Sequence, residues 1–270
     1  MKKLCFPFRK AFFLETGGII SIVGAGGKTS LMHVLSRELS ASGEPVLATT
    51  TTKVRIPEGG VFSKIIICAN GKELLREVKS CGEKFISPVF AASGNISGQN
   101  KLTGLDPEAI ERIAGSAIYK WIIVEADGAS QRPLKAPAPH EPVIPRSTGW
   151  TIGVAGLDGI GKPVEARWVF RPERFAELTN IKMGEIVTEH SVAKALIHPE
   201  GIMKGSPRNA RKIVFLNKAD RPERVESGRK ITSIIIAFGE STVERVVIGR
   251  LLETPSILEC RDNERVRDIG

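Results

Sequence analysis

G-G-I-I-S-I-V-G-A-G-G-K-T-S-L-M-H-V-L, residues 17–35, is the stretch whose reading decides the fold. Its β-branched apolar run, Ile19 to Val23, has the composition of a buried strand. The run stops at a glycine cluster, and beyond Lys28, Thr29 and Ser30 the spacing of Leu31, Met32, Leu35 and Leu39 becomes helical. Strand, glycine loop, Lys-Thr and helix together are the layout of a phosphate-binding loop. Glycines let successive backbone N–H groups point into one concavity, and the helix N-terminus adds positive potential. Lysine then reaches the β- and γ-phosphates while a threonine hydroxyl ligates Mg2+. The expected cradle is Gly24, Ala25, Gly26, Gly27, Lys28, Thr29 and Ser30. It is the short form G-x-x-G-K-T; where the longer G-x-x-x-x-G-K-[ST] pattern has its first glycine, this chain has Ile22. A glycine-rich turn with an accidental Lys-Thr is the competing reading, and the flanking strand and helix weigh against it.

Upstream, residues 1–16 read as a short lead-in with a helix that carries Phe12, Phe13 and Leu14 onto the core. Downstream, Gly43 and Pro45 mark a turn, and Val46 to Ala48 begin a strand that runs into Thr49 to Thr52 and Lys53. Threonine hydroxyls at a strand end beside a phosphate loop can meet a metal or the γ-phosphate; β-propensity alone explains them equally well. Lys64 to Cys68 reads as a strand, Lys72 to Lys79 as a helix, and Phe85 to Ala92 as a weaker apolar segment. The polar, glycine-rich Gly94 to Gly104 reads as a long loop. Asp106 is the N-cap of a helix that starts at Pro107 and ends near Ala114.

Ala117 to Val124 is the second strongly apolar strand, and it ends in Glu125-Ala126-Asp127-Gly128. Carboxylates at the C-terminal end of a buried strand, in a chain with a phosphate loop, read as the Mg2+ partners. Thr29 with Glu125 or Asp127 is the expected metal set, because alternation along a strand turns Glu125 and Asp127 the same way. Residues 130–145 follow with five prolines. They read either as a spacer or as a stiffened loop presenting Arg132, Lys135, His140 and Glu141 at the catalytic edge. Lys28, Asp127, Arg132 and Lys135 are the expected catalytic residues. Trp150 to Ala155 is a strand before a second glycine-rich turn, G-L-D-G-I-G-K, in which Pro163 stands where a phosphate loop needs Ser or Thr. Arg171 to Leu178 and Ser191 to Leu196 read as helices around a short strand near Ile186 and Val187. Lys212 to Leu216 is a strand running into Asn217-Lys218-Ala219-Asp220, an N-K-x-D pattern. In that pattern aspartate accepts from the guanine edge, lysine lies along the base and asparagine buttresses the loop; adenine would leave the aspartate unpaired. Beyond Pro222 the run from Glu223 to Ala237 is ambiguous between helix and strand. Val243 to Leu252 is expected to close the fold, with a charged tail from Cys260 to Gly270.

With 270 residues, 41% hydrophobic and 26% charged, the chain can bury a sizeable core, and one α/β domain over 1–270 is expected. The net charge of +9 is spread without a basic run, which suits a polyanionic small molecule such as a nucleotide; neither a nucleic-acid nor a membrane partner is expected. Four dispersed cysteines form no C-x-x-C, so neither a disulfide framework nor a zinc site is indicated. Pro7, Arg9 and Lys10 interrupt any signal-peptide core, and no window approaches a membrane span, so a cytoplasmic protein is expected.

These residues carry a resemblance to the YqeC family, accessory proteins of selenium-dependent molybdenum hydroxylases. It covers G-A-G-G-K-T-S at 24–30, T-T-T-T-K at 49–53, K-L-x-G-L at 101–105 and V-E-A-D-G-A at 124–129. It continues through R-P-L-K-A-P-A-P-H-E-P at 132–142, F-R-P-E at 170–173 and L-N-K-A-D at 216–220, with 124–142 the most specific block. The resemblance implies a P-loop nucleoside triphosphatase, a three-layer sandwich with a mostly parallel sheet. It also implies, as partner, a molybdenum hydroxylase or a protein of cofactor synthesis. The short G-x-x-G-K-T is similar to that of ATP-dependent Mur-type ligases, whereas E-x-x-G at 125–128 with N-K-x-D resembles metallocentre-assembly GTPases. Ala25 stands where the latter have glycine. The expectation is Mg2+-dependent binding and slow hydrolysis of GTP, switching Thr49 to Thr52 and the 130–145 loop. An ATP-dependent ligase or transferase acting on a small anionic substrate is the alternative.

Overall fold

The computed structural model describes residues 7–58, 60–84 and 87–267. The chain opens with α1 (Pro7–Ala11), β1 (Gly18–Gly24), α2 (Lys28–Ser40), β2 (Val46–Thr50) and β3 (Lys53–Arg55). Next come β4 (Lys64–Ile67), α3 (Gly71–Lys84), β5 (Val89–Ala92), β6 (Gly94–Ile96), β7 (Lys101–Thr103) and α4 (Pro107–Ala114). The middle holds β8 (Trp121–Glu125), β9 (Leu134–Lys135), β10 (Thr148–Gly156), β11 (Val169–Phe170), α5 (Pro172–Thr179) and α6 (Glu189–Ile197). The last third is β12 (Arg211–Asn217), α7 (Pro222–Ala237), β13 (Arg245–Arg250), β14 (Ser256–Asp262) and α8 (Glu264–Arg267).

Nine strands form one sheet in the order β14-β13-β12-β10-β1-β8-β2-β5-β4. Every pairing in it is parallel except β13 with β14. A parallel sheet must be covered on both faces, which is why β1 reads as an unbroken apolar run and is buried from Ile19 to Gly24. Alternation sorts its side chains. Ile20 and Ile22 join Leu31, Met32, Leu35 and Leu39 of α2 and the phenylalanines at 8 and 12. Ile19 and Val23 face the opposite layer with α3 and α4. Further along that second face, Val214, Leu216, Val246 and Ile248 pack under α5, α6 and α7. Each fully buried Leu, Ile or Phe contributes about 1.5–3 kcal/mol relative to exposure, so the two apolar layers hold the helices to the sheet.

Several elements differ from expectation. Gly94 to Gly104 is not a loop: β6 and β7 form an antiparallel hairpin that adds β3 as a third strand. The strand expected from Ala117 starts at Trp121, because Ser116 and Ala117 turn the chain out of α4 with Ala117 at φ 54°. Ile186 makes only an isolated bridge to Pro163 and is exposed. The segment after Pro222 is wholly helical. β13 does not close the sheet. The expected tail supplies the last residues of β14, which covers that edge, and Arg245 pairs there with Asp262. Of the lead-in residues, Phe12 and Leu14 are buried, whereas Phe13 is half-buried against the core, its ring 4.1 Å from the Arg211 guanidinium and 3.5 Å from that of Arg245. Within Phe85 to Ala92, residues 85 and 86 lie outside the described part, and Val89–Ala92 is β5. Among the described residues no helix is long and apolar enough to cross a membrane.

Candidate functional site

The connection from β1 to β2 passes over β8, and that from β8 to β10 passes back over β1. In an open parallel sheet such a reversal leaves a crevice beyond the strand ends. Residues 24–30 occupy it. Gly26 has φ 80°, and a Cβ there would stand 2.4 Å from the Gly156 amide nitrogen and 2.7 Å from the Pro133 carbonyl. A Cβ on Gly27, at φ 139°, would stand 2.2 Å from the Asn217 side-chain nitrogen. That nitrogen donates to the Gly26 carbonyl over 2.7 Å, so the asparagine at the end of β12 buttresses the loop. The Ala25 amide donates to Val154 O, and that of Gly26 to Arg132 O. The first amides of α2, from Lys28 through Ser30, are those that a helix leaves without partners of its own.

Lys28 is buried, its Nζ donating to Gly24 O over 2.7 Å. It lies 3.3 Å from Asp127 Oδ1 and 3.7 Å from Glu125 Oε1. The exposed Thr29 donates its hydroxyl to Glu125 Oε2 over 2.8 Å. Burial pushes the Glu125 pKa above the usual carboxylate value, against the pull of Lys28 and Thr29. Ser30 is half-buried one position further along α2. Glu125 and Asp127 both turn toward Lys28, but they are not equivalent. Asp127 Oδ2 accepts from the Gly24 amide at 3.1 Å and from Lys135 Nζ at 2.7 Å, and the residue is fully buried. Oδ2 is thus committed inside the protein, while Oδ1 is buried without a hydrogen-bond partner among the described residues and faces the Lys28 ammonium. Thr29 and Glu125 are the hard-oxygen pair that could hold a cation shared with phosphates, since Mg2+ takes one or two protein oxygens and fills the rest with water and phosphate. Among the described residues no group of three or more metal-ligating side chains occurs.

The proline-rich segment is neither a spacer nor a free loop. Leu134 and Lys135 form β9, which pairs in parallel with β11. Lys135, expected to project to a substrate, is fully buried, and it bridges Asp127 to Glu141 Oε2 at 2.9 Å. Glu141 in turn takes both guanidinium nitrogens of Arg171, at 2.6 and 3.0 Å. Lys28, Asp127, Lys135, Glu141 and Arg171 thus form one chain of alternating charge from the loop to β11. Burial alone would raise the Glu141 pKa; the hydrogen bonds and charges of Arg171 and Lys135 overcome it and bring it down to about 2. The second glycine-rich turn serves this arm. Gly156 donates its amide to Pro133 O over 2.9 Å, and a Cβ on Gly159 would stand 2.7 Å from the Leu134 side chain. Glycine at 156 and 159 is the signal, visible in the sequence, that could have announced a chain segment packed closely there.

Other expected groups are placed elsewhere. The Thr49, Thr50 and Thr51 hydroxyls donate to the carbonyls of Ala91, Glu125 and Val143, each over 2.8 Å; the first two tie β2 to β5 and β8, and the third ties its end to the proline-rich arm. Lys218, at φ 67°, pairs with Asp158 at 2.8 Å. Asp220 is half-exposed on its side chain and pairs with Arg224. Burial, the largest single influence, would raise the Asp220 pKa, but the hydrogen bond and charge of Arg224, helped by a backbone hydrogen bond and by Arg221, together hold it below its usual value. Arg132 stays at the edge, and His140 is exposed. The residues that sequence reasoning missed are Arg171, as the anchor of Glu141, and Asp158, as the partner of Lys218.

The model of the YqeC protein family matches residues 20–173, from β1 through the beginning of α5. A sequence described as "Uncharacterized protein YqeC" from Escherichia coli (strain K12) is 32% identical over 240 residues, covering 88% of this chain and 90% of the relative. No solved structure matches the chain. The family match contains the glycine loop, both carboxylates at the end of β8 and the whole buried ion chain to Arg171, and on the two matches together the protein belongs to the YqeC family.

Proposed function

We propose that this protein binds a nucleoside triphosphate with Mg2+ on the 24–30 loop and hydrolyses it slowly. The observation that carries the reading is the placement of Lys28 and Thr29, at the N-terminus of α2, against Glu125 at the end of the neighbouring strand. Lys28 already reaches back over the loop to Gly24 O, and a bound phosphate would take the place of carboxylate as its counter-ion. The N-terminus of α2 adds partial positive charge at the same place. Thr29 and Glu125 are the proposed metal ligands, and a bound Mg2+ would neutralise charge on the β- and γ-phosphate oxygens. Asp127 orients Lys28 and the Gly24 amide. Guanine is the proposed base, since Asn217 holds the loop and Lys218 and Asp220 follow it at the same edge. The maturation of a selenium- or molybdenum-containing cofactor or enzyme is the setting that the family resemblance supplies.

Product analysis under single turnover tests the chemistry. Phosphorus NMR of full-length protein with Mg2+ and GTP should show GDP and inorganic phosphate in equal amounts, lost in Lys28→Ala. With ATP in place of GTP, a phosphorylated or amide-linked product formed with ADP would replace this reading with the ligase or transferase one.

A further inference from the structure

We propose a second anion site beside the 24–30 loop, formed by Arg132, Lys162 and Arg167 around Trp168, which takes the phosphate or carboxylate group of a small second ligand. Arg132 abuts the loop, its carbonyl accepting from the Gly26 amide at 3.0 Å. Its guanidinium is fixed by two backbone carbonyls, Nε to Ala166 O at 2.9 Å and Nη1 to Ser130 O at 2.6 Å. Among the described residues Nη2 has no partner. A guanidinium held in this way has its fork oriented before any ligand arrives, which lowers the entropy cost of binding an oxyanion. Ala166 is followed by Arg167, whose guanidinium carbon lies 4.9 Å from the centre of the Trp168 ring. Lys162 Nζ lies at the same 4.9 Å from that ring. The Leu134 amide donates to Trp168 O at 3.3 Å, so the cluster is tied to the arm that crosses the loop.

The charge balance singles these three out. At the same edge Lys28, Lys135, Arg171, Lys218 and Arg224 each face a carboxylate. Among the described residues Arg132, Lys162 and Arg167 face none, and Glu165 on the same segment is exposed and pairs with no one of them. Ring faces steady two of the cations without neutralising them. Gathered positive charge with a preset donor is what a carboxylate or phosphate would neutralise, and its position next to the loop puts that ligand beside a nucleotide. The inference takes that placement from the nucleotide reading, but its test stands apart from it.

Calorimetric titration of the full-length protein in about 0.15 M salt, with inorganic pyrophosphate and separately with succinate, separates the cases. Wild type should bind at least one of them, pyrophosphate if the natural group is a phosphate and succinate if it is a carboxylate. Lys162→Gln/Arg167→Gln should weaken that binding at least about tenfold with an unchanged melting temperature, while Lys28→Ala retains it. No binding of either anion, or binding that Lys28→Ala abolishes and the double variant leaves intact, would overturn the site. Failure of the nucleotide reading shows differently, as wild-type affinity for GTP or ATP that Lys28→Ala leaves unchanged.

Discussion

Lys135 shows most clearly how single residues define this site. It is a lysine with no exposed side-chain surface, held between Asp127 and Glu141 at 2.7 and 2.9 Å. Its desolvation is offset by both carboxylates and the Gly128 carbonyl, and removing it takes from Asp127 and Glu141 the cation they share. Lys135→Met should therefore cost about 3–5 kcal/mol, read as a lower denaturation midpoint with an unchanged slope, and Asp127→Asn in the same chain should restore part of the loss. Glu141 makes the pH dependence legible. Its pKa of about 2 in the folded protein lies below the usual 4.5, so the unfolded chain takes up the proton first. The stability it contributes is complete above about pH 4.5 and is lost as pH falls toward 2. Glu141→Gln should flatten an acid-unfolding curve in that window while leaving its shape at neutral pH. Lys28, Thr29 and Glu125 were readable as a set because each sits at the end of a strongly patterned strand or helix. The pairing of Lys135 with Asp127 was not, because the bond depends on the path of a proline-rich arm that has no periodicity of its own.

That arm is the element that completes the edge of the sheet. It crosses between the two glycine-rich turns, and the missing side chains at 26, 156 and 159 are the space it occupies. Gly26→Ala should displace it: the new Cβ meets backbone atoms at 2.4 and 2.7 Å at a φ of 80°, and neither neighbour is the end of a flexible side chain. The expected cost is about 1–3 kcal/mol for the strained backbone alone, with faster amide exchange across 132–136 as the structural readout. A glycine-rich turn reads in sequence as a loop, and nothing local says which neighbour comes close. The hairpin at 94–103 was hidden for a related reason. β6 and β7 are three residues each, and of these six only Leu102 is buried, so they carry no apolar alternation to read.

At the scale of the molecule, the core strands announced themselves and the edge did not. β1, β8, β10 and β12 are buried on both faces and so spell continuous apolar runs. β14 is an edge strand carrying Glu259, Arg261 and Asp262, charges that keep an edge from pairing with another chain and that in sequence look like a tail. Truncation after Leu252 should uncover the length of β13 and yield a protein that elutes as concentration-dependent aggregates in size-exclusion chromatography. The same sheet brings the glycine loop, Glu125 and Asn217 to one edge from positions spread over almost two hundred residues. Whether that edge holds a nucleotide is read most directly by calorimetric titration of wild type and Lys28→Ala with GTP and with ATP, each with Mg2+. The account predicts saturable, Mg2+-dependent binding to wild type, tighter for GTP, and a loss of at least about a hundredfold in the variant. Equal affinity in wild type and Lys28→Ala, or no binding of either nucleotide, would contradict it.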